Sequence, residues 1–142
     1  MSKNKTKEIT SKVTPFISFT DCAEEAVNFY ISTFPNSKIQ EIEYFKEGEL
    51  GIEGKVKKIC FTIMGKSFMG MDFMVMEGSD GPVPSWFISL YVNCSDEIMF
   101  DNVFNKLSKE GNVLMGPEPL LNFKKVTWVT DKFGITWQLI YE

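Results

Sequence analysis

Apolar positions recur along the chain in two rhythms, period two and a period near three and a half, and the rhythms alternate. Val13 to Phe19 reads as a first strand, with Pro15 near its start, where a missing N–H does least harm. A helix follows. Asp21 can cap it, with Glu24 three residues on, and Ala23, Ala26, Val27, Tyr30, Ile31 and Phe34 form one apolar stripe that Pro35-Asn36 stops. Ser37 to Phe45 alternates as a strand, and Lys46 to Gly54 is a Gly-rich loop. Lys55 to Met64 and Ser67 to Met76 are two strands joined by a hairpin turn at Gly65-Lys66.

Glu77 to Ser85, dense in Gly, Pro, Ser and Asp, reads as a linker, and beyond it the opening pattern returns. Trp86 to Cys94 is a strand, and Ser95-Asp96-Glu97 caps a helix with the stripe Phe100, Val103, Phe104 and Leu107, ended by Gly111. A short strand Asn112 to Met115, a Pro-rich loop Gly116 to Asn122 and a closing hairpin complete it. In that hairpin, Ile135, Trp137, Leu139 and Tyr141 point one way, and Thr136, Gln138 and Ile140 the other. The order strand, helix, three strands therefore occurs twice, with a period of about seventy residues. The expected fold is α+β: two βαβββ modules forming curved mixed sheets around a cavity. The expected divisions are a tail at 1–12, modules at 13–76 and 86–142, and a linker at 77–85.

The 142 residues, 44% hydrophobic with thirteen Phe, suffice for a substantial core. Net charge is −4, with fifteen Lys and no Arg. Lys3, Lys5, Lys7 and Lys12 against Glu8 give the tail +3, so the rest carries −7. An acidic body without clustered cations is a poor nucleic-acid binder. Cys22, Cys60 and Cys94 are far apart, with no CxxC pair, so buried reduced thiols are expected. Neither a signal-peptide pattern nor a run of membrane-spanning length is visible, which reads as cytoplasmic with no membrane partner. The loop Lys46 to Gly54 is not a phosphate loop, because no GKS or GKT ends it and its charges are mainly acidic.

The segments TPFISFTDCAEEAVNFYISTFPNSKI (14–39), GIEGKV (51–56), GKSFMGMD (65–72), ISLYVNCSD (88–96) and DKFGITWQLIY (131–141) resemble the vicinal-oxygen-chelate superfamily. This superfamily groups glyoxalase, bleomycin-resistance and dioxygenase proteins; within it the chain is similar to the PhnB-like, demethylubiquinone methyltransferase-like branch. The resemblance implies the glyoxalase/bleomycin-resistance fold and a homodimer, with strands exchanged between subunits. It also places the family's metal ligands at Pro15, at Met71 or Asp72, at Ser89 or Ile88, and at Gln138. With no His in the chain and Pro unable to ligate, the set is short of the three protein ligands a catalytic zinc or iron site ordinarily needs. The expectation is no metal and no cofactor. Nor does the first strand lead into a glycine-rich turn of the kind that nucleotide-type cofactors use.

Among candidate site residues, Asp72 stands out as a carboxylate among Phe68, Met69, Met71 and Phe73. Desolvation there would suit it to general-base catalysis; the alternative is an Asp hydrogen-bonded to a turn. Phe16, Tyr44, Met71, Ser89, Trp128 and Gln138 are the expected ligand-binding set: apolar or aromatic walls with one amide and one hydroxyl to orient a guest. The expected function is binding of a small apolar or aromatic molecule. The competing reading is a divalent-metal-dependent lyase, isomerase or dioxygenase using Asp72 and Gln138.

Overall fold

The computed structural model describes residues 12–74, 78 and 80–142. The basic tail apart from Lys12, the expected strand end at 75–76, and linker positions 77 and 79 lie outside the described residues. The chain divides into two compact units, Met1–Pro82 and Val83–Glu142.

In the first unit the elements are β1 (Phe16–Phe19), α1 (Ala23–Thr33), β2 (Lys38–Tyr44), β3 (Val56–Ile63) and β4 (Lys66–Asp72). The sheet order is β1-β4-β3-β2, with β1 parallel to β4 and the other pairs antiparallel. The helical stripe is buried as its spacing requires: Ala23, Ala26, Val27 and Tyr30 are fully covered, and α1 packs over β3. On that side of the sheet Phe61 and Phe68 stack, their ring centroids 5.5 Å apart. The β3–β4 turn falls on Met64-Gly65, one residue earlier than expected. Both have positive φ (49° and 83°), which a two-residue hairpin of this twist demands and which Gly65 accepts without strain.

The second unit repeats the plan with β5 (Leu90–Asn93), α2 (Glu97–Ser108), β6 (Asn112–Leu120), β7 (Phe123–Thr130) and β8 (Thr136–Tyr141), in the order β5-β8-β7-β6. Again the first strand is parallel to the last. Asp96 caps α2 by accepting the Met99 N–H at 2.8 Å. Phe100, Val103 and Leu107 of α2 and Val129, Trp137 and Leu139 of the sheet are buried.

Three local expectations are corrected. Asp21 does not cap α1: Cys22 holds the cap position without a side-chain bond, and Asp21, at φ 63°, pairs with Lys55 instead. The Gly116 to Asn122 stretch is mostly strand, since β6 runs to Leu120. Pro117 and Pro119 are tolerated because β6 is the edge of its sheet, and the register shifts three times along it. Conversely, β5 begins only at Leu90. Its partner β8 starts at Thr136, so Trp86, Phe87 and Ile88 have no strand to pair with and are 63%, 95% and 74% exposed.

Candidate ligand-binding site

Each sheet has a helix-covered side and an open side. On the open side of the second sheet, the register aligns Tyr91, Gln138, Trp128 and Met115 in one row across β5, β8, β7 and β6. Gln138, Trp128 and Met115 are half-buried and Tyr91 is exposed. Ser89, two residues before Tyr91, shares its face. The Gln138 amide donates to the Ser89 hydroxyl at 2.7 Å, which fixes the amide's orientation and leaves its carbonyl oxygen as an acceptor. The row is thus apolar and aromatic with one oriented amide and one hydroxyl. It offers stacking and hydrogen bonding, and no charge.

Cations near this hairpin are engaged elsewhere. Lys125 binds Asp101 and Glu97, both at 2.8 Å, and Lys124 lies over the Tyr141 ring at 5.3 Å. An anionic phosphonate would therefore find no free guanidinium or paired lysines on the Gln138 row.

On the open side of the first sheet lie Phe16 and Ser18 of β1, opposite Met69 and Met71 of β4. Phe16 is half exposed and the two methionines are half-buried. Tyr44 is not brought to this face. A register irregularity between Glu43 and Tyr44 precedes it, and its hydroxyl donates to Glu24 of α1 at 2.9 Å. Among the expected residues, then, Phe16 with Met71 and Ser89 with Trp128 and Gln138 form two groups, one on each sheet.

Asp72 lies on the opposite side of β4 from Met71, beneath the start of α1. It is buried, and both carboxylate oxygens are engaged: Oδ1 accepts the Ala23 N–H at 2.8 Å and Oδ2 the Val56 N–H at 2.9 Å. Ala23 is the first residue of α1 and Val56 the first of β3, so one carboxylate ties a helix start to a strand start. It does for α1 what a cap side chain does elsewhere, from 49 residues away.

The donor set implied for a superfamily metal does not fit this chain. Pro15 offers only its carbonyl, which accepts the Met69 N–H; Asp72 is tied to two backbone amides; Gln138 and Ser89 bind each other. Among the described residues no group of three His, Cys, Asp or Glu side chains could hold a metal ion.

Two polar features were not anticipated. Tyr91 joins the Gln138 row, and its spacing of two from Ser89 was the available signal. Asp131, which is buried, accepts the Phe133 and Ile135 N–H groups on Oδ1 (2.8 and 3.1 Å) and the Trp137 indole N–H on Oδ2 (2.8 Å). It thereby holds the closing turn and seats Trp137 on the helix side. Neither helix-start thiol is activated. Burial is the main cause that raises Cys22, and burial pushes Cys94 up to about 11.

These sheets define the chain's fold. Two four-stranded mixed sheets, each with one helix, are shared with a member of the glyoxalase/bleomycin resistance protein/dioxygenase superfamily from Sphaerobacter thermophilus, which superposes with a TM-score of 0.55 at 14% identity, over 94% of this chain and 99% of that one. A Pseudomonas aeruginosa protein, PA1353, shares the fold at 18% identity and a TM-score of 0.79, over 93% and 98% of the two chains. The family model described as 3-demethylubiquinone-9 3-methyltransferase matches residues 11–140, and the chain belongs to that family. A Bacillus cereus PhnB protein carrying the same designation is 39% identical, with a TM-score of 0.83, over 93% of this chain and all of that one. No curated protein sequence matches the chain significantly.

Proposed function

We propose that the chain is a PhnB-like small-molecule-binding protein that works without a catalytic metal. Its guest is a small, largely apolar or aromatic molecule taken on the open side of the second sheet. The observation that carries this reading is the Gln138–Ser89 bond set in the row of Tyr91, Trp128 and Met115. A half-covered aromatic surface with one oriented amide is how binding sites combine affinity with orientation. Phe16 and Met71 present similar apolar chemistry on the open side of the first sheet. The family description names a methyl transfer, but the β1–α1 connection Thr20-Asp21-Cys22 has no glycine, and each sheet has one parallel pair only. Asp72 is proposed as a clamp on α1 and β3 and not as a base.

A thermal-shift screen of small aromatic and aliphatic compounds, with hits retested on two variants, checks the proposal. Trp128→Ala is expected to weaken a hit about tenfold by loss of stacking area, and Gln138→Leu by a comparable factor if the guest has a polar group. A library that stabilises nothing, or hits indifferent to both substitutions, would remove the reading.

A homodimer belongs to the same proposal. Val83, Trp86, Phe87 and Ile88 expose a run of large apolar side chains beside edge strand β5, and such a run is ordinarily covered. No helix among the described residues is long and apolar enough to cross a membrane. Sedimentation equilibrium is expected to give twice the 16.3 kDa chain mass, falling toward one chain mass when Trp86 and Phe87 become Ser. A monomer mass for the unaltered chain would refute the pairing.

A further inference from the structure

We propose that a hollow at the helix-start end of the first unit, away from the open face of its own sheet, binds a small organic ammonium ion with an apolar body. Two connections and one strand end converge there. Thr20 and Asp21 come from the β1–α1 connection, Phe45, Ile52 and Lys55 from the β2–β3 connection, and Asp72, Phe73 and Met74 from the end of β4. The space is about 210 Å³. At ~30 Å³ per water that is room for about seven waters, or for one single-ring or short branched guest.

Its walls are unusual for a surface hollow. Ile52, Phe73 and Met74 are 58%, 37% and 36% exposed, so three large apolar side chains face water around one cavity. A guest's hydrocarbon body would cover them. Phe45 closes one side, its ring laid against Gly51, where a Cβ would sit 2.3 Å from it, so the absence of a side chain at 51 leaves the ring its place.

Charge selects the head group. Asp21 and Lys55 pair at the rim, with side chains 65% and 42% exposed, and the pair uses Oδ1 of Asp21. Their charges cancel, and the Asp72 carboxylate lies at the floor. A helix start ordinarily attracts anions, yet here it does not offer the Ala23 N–H, which Asp72 already holds, and Glu24 and Glu25 occupy the first turn. The neighbouring Cys22 thiol feels this field: burial raises it most, and the charges of Asp72, Glu25 and Asp21 raise it further. A carboxylate or phosphate guest is therefore repelled. A protonated amine can share Asp21 with Lys55 while its body rests on Ile52, Phe73 and Met74.

Three probes of one size and different charge test this: benzylamine, benzyl alcohol and benzoate, titrated while backbone amide NMR signals of the full chain are followed. Benzylamine is expected to move the amides of Asp21, Lys55 and Phe73, with affinity about tenfold above benzyl alcohol, and benzoate to leave them unmoved. Asp21→Asn keeps a side chain that tolerates φ 63°. It should weaken benzylamine about fivefold and leave benzyl alcohol unchanged. Equal affinities for the three probes, shifts confined to the Gln138 row, or an Asp21→Asn variant that binds benzylamine as before would each overturn the assignment.

Discussion

Asp72→Ala is expected to destabilise the first unit by about 4 kcal/mol, because two buried N–H donors, those of Ala23 and Val56, lose their acceptor together at ~1–3 kcal/mol each. Both donors sit under covered residues, Ala23 fully buried and Val56 2% exposed. Asp72→Asn is expected to lose about half as much, since one amide oxygen can still accept while the amide nitrogen faces the second donor. All three tryptophans lie beyond residue 83, so indole fluorescence reports on the second unit. Hydrogen exchange at the amides of Ala23, Ala26 and Val56 reads the first. A loss below about 1 kcal/mol in the alanine variant would show that the carboxylate is replaceable, and the clamp would have to be abandoned.

The second large effect is expected at Gly111→Ala, about 3 kcal/mol in the second unit. A Cβ there would sit 2.4 Å from the Thr130 carbonyl oxygen, 2.7 Å from that of Leu107 and 3.2 Å from the Asp131 Cα. All three are backbone atoms, in β7, in α2 and at the closing turn, so no side chain can swing aside. The contrast is Glu110→Gly. Glu110 takes the left-handed conformation after α2 (φ 61°), and glycine there is expected to be neutral or to stabilise by about 1 kcal/mol. Urea unfolding followed by Trp128 and Trp137 fluorescence measures both. If Gly111→Ala unfolds with the parent, close approach is not what demands the glycine.

This pair shows how a right residue can be read for a different reason. Gly111 was legible as the end of α2, from the familiar preference for glycine in a left-handed position after a helix. The chain assigns that conformation to Glu110 and uses Gly111 for lack of a side chain, a need created by β7 passing overhead. Asp72 has the same history. Its type and its apolar neighbours were visible, and they suggested a base. Which amides reach it depends on residues 49 and 16 positions away, a relation no local pattern carries.

Local sequence determined what depends on neighbours a few residues away. The stripe from Ala23 to Tyr30, the cap at Asp96, the alternation through Trp137 and Leu139 and the repeat of the whole plan follow from periodicity and short-range sterics. Tertiary structure decided what depends on partners. It set where β5 begins, because its parallel partner β8 starts only at Thr136; that Pro117 and Pro119 lie in a strand, because that strand is an edge; and that Tyr44 leaves the open face for Glu24. It also brought Gln138 to Ser89 and gathered Asp21, Lys55 and Asp72 around one hollow. Hydrogen bonds and charges act over a few ångströms of space, and only the folded chain says which residues share them.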